Sequence, residues 1–234
     1  MDKDINNNGY DYVDLELPSG TLWATCNVGA NKPTDFGLYF QWGDTQGYTK
    51  EQVLKDKYFD WVDYKWNPSG DGKTFTKYTT TGATLELVDD AAHIHMGGSW
   101  HMPSPKQIKE LLDNTTNIWM TQDGVNGRLF TSNKDGSKSI FIPVAGGALN
   151  GLIYLRTIEA NVWSSMLNMD GVDYGQYFYF NLFNTRLYST SRYCGFPVRG
   201  VIDNNNNNNL KKNKLCRLIQ KLIHFTSVFK VLEK

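Results

Sequence analysis

Histidines, cysteines and one pair of adjacent carboxylates are the side chains in this sequence that invite a chemical reading. His93-Ile94-His95, with His101 six residues further on, would set two imidazoles on one face of a strand with a third nearby, the donors that zinc takes. No carboxylate or cysteine completes that set at a convincing spacing, so a structural role for the histidines is preferred. Asp89-Asp90 would suit acid–base work or calcium. Neighbouring helical residues point about 100° apart, however, and capping or bonding to nearby loops is the better expectation. Cys26, Cys194 and Cys216 are an odd, scattered set without C-x-x-C spacing, which reads as small buried hydrophobes or incidental surface thiols. Nucleophile elbow, P-loop and dinucleotide fingerprint are all missing. The expectation is a protein that is not an enzyme and uses no cofactor and no metal.

The chemistry that the sequence does favour is contact. Its C-terminal third mixes scaffold residues (Trp163, Phe178, Phe180, Val198, Val201) with Tyr, Asn, Ser, Thr and Arg, and residues 181–199 contain no Lys, Glu, Gln, Met or Trp. Tyrosine supplies large rigid contact area with few torsions, while Ser and Asn supply adaptable hydrogen bonds. Strand alternation in Tyr177-Phe178-Tyr179-Phe180-Asn181 puts Phe178 and Phe180 toward a core and Tyr177, Tyr179 and Asn181 toward solvent. Asn184, Arg186, Tyr188, Ser189, Ser191 and Tyr193 follow in a loop and strand; Asn168, Asp170, Asp173 and Tyr174 precede. These are the candidate ligand-binding residues, because recognition concentrates in loops on rigid scaffolds and Tyr and Arg most often anchor interfaces. The plainer alternative is a solvated loop with incidental aromatics.

The elements that must hold them are short. Tyr12-Val13-Asp14-Leu15-Glu16-Leu17 alternates as a half-buried strand, and Pro18-Ser19-Gly20 turns it into a second strand at 21–24. The Gly- and aromatic-rich stretch 27–43 predicts tight turns packed by large rings. Thr49-Lys50-Glu51-Gln52 is a capping box that opens a helix to about Lys57, and 60–82 reads as a long aromatic loop. A second helix is expected over 84–92, with Leu85, Val88 and Ala92 on one face. A third begins at Ser104, with Pro105 at its first position and Gln107 completing a box. Asp123-Gly124, Asn126-Gly127 and Asp135-Gly136 read as hairpin turns between short strands that include 128–130 and 139–142. The sum is an α+β domain with small antiparallel sheets, two or three short helices and long ordered loops.

Four segments follow: a disordered lead over 1–9, one domain over 10–202, an Asn-rich linker over 203–209 and a basic amphipathic helical tail over 210–234. The tail places Leu215, Leu218, Ile219, Leu222, Ile223 and Phe229 at helical spacing among six lysines and Arg217. It would dock on a partner, join the chain into a homo-oligomer or virion, or lie on an anionic membrane; packing back on the domain is the plainer alternative. The whole chain balances 24 basic against 24 acidic residues, which argues against nucleic acid as a partner. The polar N-terminus has no apolar signal region and no run approaches a membrane span, so the chain is expected to be made in a cytoplasm.

Several stretches in order resemble one family. They are Val13-Asp14-Leu15 with Leu17-Pro18-Ser19-Gly20-Thr21-Leu22-Trp23-Ala24, then Gly37-Leu38-Tyr39-Phe40-Gln41-Trp42-Gly43-Asp44, Asp89-Asp90-Ala91-Ala92 and Gly97-Gly98-Ser99-Trp100-His101-Met102-Pro103. Ile140-Phe141-Ile142-Pro143-Val144-Ala145-Gly146, Trp163-Ser164-Ser165 and Val198-Arg199 complete the series. The family is the Fibrobacter succinogenes major paralogous domain group, common in gut bacteria and their phages. The resemblance spans about residues 10–201; His101 stands where the family usually has Arg, and Gly200 where it usually has Pro. It implies a C-type lectin-like fold and similarity to variable proteins of diversity-generating retroelements. In those, adenine mutagenesis of Asn-type codons excludes Lys, Glu, Gln, Met and Trp, the types missing from 181–199; Met166, Met169 and Gln176 would then be fixed positions. The Glu-Pro-Asn and Trp-Asn-Asp calcium–sugar motifs are missing, and Cys194 has no second cysteine beside it as formylglycine-generating enzymes of this fold require. The function implied is a receptor-binding or adhesion module that displays residues 166–194 to a cell-surface protein or glycan, on a virion surface if phage-encoded. The alternative is a structural protein using the same patch as a fixed subunit interface.

Overall fold

The computed structural model describes residues 7–204, and short antiparallel strands carry most of its regular structure. β1 (Tyr12–Asp14) pairs with β2 (Leu22–Asn27), and β11 (Arg199–Ile202) lies on the other side of β2, so one sheet ties both ends of the domain together. The strand expected to reach Leu17 stops at Asp14. Glu16 takes a left-handed φ of 55°, its amide donates to Asp14 Oδ1 at 2.8 Å, and the turn sends Leu15 and Leu17 inward together. Residues 7–9, expected to be disordered, are held instead: Trp100 Nε1 donates to Asn7 O (2.8 Å) and Asn8 Nδ2 to Met96 O (2.7 Å). Residues 1–6, most of the Asn run and the basic tail lie outside the described residues.

Two of the three expected helices begin as their caps dictate. α1 (Lys50–Lys55) carries the Thr49/Gln52 capping box, and α3 (Pro105–Asn114) the Ser104/Gln107 box with proline in its first turn. The helix expected over 84–92 does not form. Thr84 bridges to Met166, a single 3-10 turn covers Leu87–Asp89, and Val88 is exposed. Asp90 interrupts with extended backbone (φ −89°, ψ 112°) and accepts from the amides of His93 (2.9 Å) and Met102 (2.7 Å). The true helix, α2 (Ala91–Met96), starts after it, so His93 and His95 lie on a helix and not on a strand.

β3 (Thr115–Gln122), β4 (Val125–Ser132) and β5 (Ser139–Pro143) form a meander. Asp123-Gly124 turns between the first two with φ of 49° and 78°, both positive as a type I′ turn requires. Asn126-Gly127, read as another turn, is instead inside β4, where Gly127 leaves room for the Phe141 ring. β6 (Gly147–Leu149) and β7 (Leu152–Tyr154) form a small hairpin about Asn150-Gly151, a turn the sequence reading passed over. β8 (Glu159–Leu167), β9 (Tyr174–Asn181) and β10 (Thr185–Ser191) make the last sheet, with β9 central.

Two large apolar clusters, and a small third one of Tyr39, Val53, Phe59 and Ala148, join these pieces. Ile108 and Leu111 of α3 pack with Trp23, Phe130, Phe178 and Phe180 behind the β8–β10 sheet. Trp42, Trp100, Trp163, Phe40 and Phe196 fill the other cluster. Buried indoles still need acceptors. Trp163 Nε1 donates to Phe40 O (2.7 Å) and Trp42 Nε1 to Ser164 O (2.9 Å), which interlocks segments 123 and 122 residues apart. The result is an α+β architecture of small antiparallel sheets and few helices.

Candidate functional site

The register of the β8–β10 sheet sorts the candidate residues by face. Tyr177 lies opposite Trp163 on one side and Tyr188 on the other, and Tyr179 lies between Asn161 and Arg186. Directly opposed residues share a face, so Tyr177, Tyr179, Arg186 and Tyr188 form one group. Phe178, Phe180 and Leu187 point the other way, toward α3. Tyr174, Ser189 and Ser191 alternate onto that second face as well. The expected single patch is therefore divided: one residue of offset along a strand moves a side chain through the sheet.

On the first face the rings are graded by depth. Tyr177 is half-buried and not solvent-facing as expected: its ring sits 4.9 Å from Phe196, 6.1 Å from Trp163 and 6.2 Å from Tyr188. Tyr188 is exposed and meets Tyr179 edge-on at 5.4 Å. The Arg186 guanidinium lies 4.0 Å from the Tyr188 ring centroid and 5.7 Å from that of Tyr179, a cation–π arrangement that holds a long side chain against rigid area. Burial raises the Tyr177 phenol pKa, and burial followed by the nearby Glu159 charge raises that of Tyr179. These phenols remain protonated at neutral pH and can donate hydrogen bonds.

The remaining candidates build loops. Asn181 Oδ1 accepts from the amides of Phe183 and Asn184, both at 2.9 Å, and its Nδ2 donates to the Tyr179 hydroxyl (2.7 Å), so Asn181 shapes the β9–β10 turn on which Asn184 is exposed. Asn168 Oδ1 accepts from the Asp170 amide (2.8 Å), and the Asp173 carbonyl accepts from the Arg192 amide (3.0 Å). Tyr193 packs edge-on against Trp61 at 4.7 Å, which extends the aromatic surface onto the long loop.

Three contributors escaped the sequence reading. Arg128 of β4 grips the β9–β10 turn, donating to Asn181 O (3.0 and 2.8 Å) and Leu182 O (2.9 Å). Arg192 is fully buried within the variable-looking window. It donates to the Tyr64 hydroxyl (2.7 Å) and to the carbonyls of Val172 (3.0 Å), Lys77 (3.1 Å) and Tyr78 (3.2 Å). Trp61 meets Tyr193 from a loop distant in sequence. Only alternation offered a signal, and it ends where β10 ends. The buried Arg192 could not be told from exposed Arg186 by residue type.

The other chemistry-bearing groups serve the scaffold. The ring Nδ1 of His93 bonds Trp100 O (3.1 Å) and the Nε2 of His95 bonds Thr45 O (2.8 Å). Asp89 accepts from the Tyr78 hydroxyl (2.7 Å) and from Lys77 (2.6 Å). Cys194 is buried and its thiol is pushed up to about 11 by that burial; Cys216 lies outside the described residues. Among the described residues no group of three or more His, Cys, Asp or Glu could hold a metal ion. No model of a known protein family, no curated protein and no solved structure matches the chain.

Proposed function

We propose that the chain is a non-enzymatic binding module with a C-type lectin-like fold, which engages a cell-surface protein or glycan through the Tyr177/Tyr179/Arg186/Tyr188 face. The observation that carries the reading is the stacked Arg186–Tyr188–Tyr179 group on a sheet backed by a packed core. Such a surface loses little side-chain entropy on binding, since its rings are already ordered by one another. Tyrosine faces and hydroxyls suit sugar rings and peptide backbones alike.

The proposal extends to diversification within residues 166–194 and to display on a phage particle, both implied by the family resemblance. On the proposed contact face, diversification would fall at positions such as Arg186 and Tyr188. Arg192 and residues 194–199 are buried and bonded into the core, and so belong to the fixed scaffold. A second reading, a fixed subunit interface, is favoured by the neighbouring turn, where Leu182 is 51% and Phe183 82% exposed.

The test applies labelled full-length chain to a printed glycan array and to intact gut-bacterial cells, beside an Arg186→Ala/Tyr188→Ala double variant. Binding that the double variant loses, with its melting temperature unchanged, supports the module. A parent chain that binds neither surface, and forms in sedimentation a dimer that Phe183→Ser dissociates, replaces it with the subunit interface.

A further inference from the structure

The sheet of β3, β4 and β5 has an edge that the domain itself does not use. The Asp123-Gly124 turn closes the β3–β4 hairpin at Gln122 and Val125, and Asn133 N donates to Asn114 O (3.1 Å) beyond the other end of the ladder. Bonded pairs in an antiparallel ladder recur at every second residue, so Thr116, Ile118, Met120 and Gln122 spend their backbone groups on β4. The amides and carbonyls of Asn117, Trp119 and Thr121 therefore point away from it. Among the described residues no backbone group meets them.

Edge strands are normally kept from pairing with other chains by shortness, charge, proline or a bulge. The edges at β1, β5 and β10 follow that rule: β1 has three residues and ends in Asp14, β5 ends in Pro143, and β10 carries Arg186. β3 has none of these devices. Its eight residues include no charge, proline or glycine, and its register with β4 is unbroken. Its two faces also differ. Trp119 packs against the core cluster of Ile108 and Phe130, whereas Ile118, on the other face, is 53% exposed. Ile118, Leu129 and Phe141 are directly opposed in turn, so an apolar row crosses the sheet and stops at its open edge.

An antiparallel second copy of β3 satisfies this edge when Ile118 lies against Ile118 of the second copy. Asn117 then exchanges backbone bonds with Trp119 of the second copy, and Thr115 with its Thr121. Thr116 stands opposite Met120 of the second copy, and no charge is opposed. The chain's own balance, 24 basic against 24 acidic residues, leaves little repulsion between copies.

We propose that β3 pairs edge to edge with β3 of a second copy, joining two three-stranded sheets into one about a two-fold axis. A single strand pair buries less than a standard protein interface, so this dimer forms and dissociates with concentration. It leaves the tyrosine face uncovered, because Phe178 and Phe180, which meet Phe130 of β4, occupy the opposite side of that sheet. The dimer thus carries two such faces, and it stands whether or not they bind a ligand.

Sedimentation of the full-length chain over a dilution series, with NMR-detected amide exchange at both ends of the series, tests this. A dimer is expected at the concentrated end, with the Asn117, Trp119 and Thr121 amides slowed there and released on dilution. Ile118→Lys sets two like charges face to face and should weaken the dimer about tenfold or more, with the melting temperature of the dilute chain unchanged. An equimolar mixture with Ile118→Glu should restore it, as a register placing position 118 against itself requires. Thr121→Pro, which deletes an outward donor and spares the β4 ladder, should weaken the dimer as well. A chain that stays monomeric, or a dimer whose three amides exchange freely, overturns the proposal. So does protection indifferent to dilution, which would mean that another part of the same chain covers the edge. A dimer indifferent to Ile118→Lys, or a Lys/Glu mixture that stays monomeric, overturns it too.

Discussion

Replacing Arg192 with methionine asks whether a buried cation without a carboxylate partner stabilises this domain. The guanidinium is wholly buried, lies 4.5 to 5.2 Å from the ring centroids of Phe75, Trp42 and Tyr64, and satisfies three backbone carbonyls. Methionine keeps much of the volume and the ring contacts but has no donor. Buried ion pairs can often be replaced by apolar residues at no loss, because both charged partners leave together. Here the partners are main-chain carbonyls of Lys77, Tyr78 and Val172, and no side-chain substitution removes them. Each orphaned group costs about 1–3 kcal/mol, and the recovered desolvation of the guanidinium offsets part of the sum. A net loss of about 2–4 kcal/mol is expected, and about half of it for Arg192→Lys, whose ammonium reaches fewer of the acceptors. Urea unfolding followed by tryptophan fluorescence reads the difference, with Trp42 beside the substitution as reporter. Arg192→Met as stable as the parent would refute the reasoning, because desolvation would then outweigh the hydrogen bonds.

Ser104→Ala removes the side-chain acceptor for the Gln107 amide at the start of α3 and should cost about 1 kcal/mol in the same assay, whereas Ser104→Asp should cost far less. His101 and Asp203, 3.5 Å apart beside the last strand, should give a pH signature. Burial opposes the charged imidazole, but the Asp203 carboxylate, the Met102 carbonyl and the Asp90 charge outweigh it and raise the pKa; the imidazole in turn lowers that of Asp203. A raised histidine pKa stabilises below its unfolded value near 6.5 and loses that contribution as pH climbs past the folded value. The lowered Asp203 value stabilises above 3.8 and loses its contribution as pH falls. The parent should thus lose stability relative to Asp203→Asn as pH rises from the unfolded histidine value near 6.5 through the raised folded one, and parallel melting curves across that rise would contradict the pairing. Gly175→Ala should destabilise strongly, since a methyl there would lie 2.8 Å from Trp42 and 3.0 Å from Trp163; a melting temperature equal to the parent's would show that the two indoles can yield.

Local signals in the sequence found what local physics decides. Capping boxes at Thr49 and Ser104 placed two helices, and Asp123-Gly124 placed a hairpin, because each is settled by a few consecutive residues. The helix expected over 84–92 failed for a non-local reason: Thr84 finds its backbone partner in Met166, and Asp90 finds one of its donors at Met102. Asn126-Gly127 failed likewise, since the Phe141 ring of β5 reaches diagonally over Gly127 and leaves no room for a side chain there. The candidate face was half legible. Alternation separated Tyr177 and Tyr179 from Phe178 and Phe180, but it could not carry across the β9–β10 turn, and Ser189 and Ser191 were grouped with residues on the opposite face.

The arginines explain how a polar, tyrosine-rich stretch stays rigid in a domain with so little helix. Arg128 holds the β9–β10 turn by its carbonyls, Arg192 ties the end of β10 to the loop around Tyr64 and Tyr78, and Arg199 joins β11 to Asn27, Ala24 and Phe141. Each spends several donors on carbonyls that strands this short and loops this long leave unpaired, so the buried charges replace backbone ladders that a larger sheet would have supplied. A segment stitched in this way at Arg128, Arg192 and Arg199 can change residues on its outer face without losing its backbone path. Arg186, on that outer face, makes ring contacts and, among the described residues, no carbonyl bond, so its position does not depend on the backbone stitching that fixes the other three.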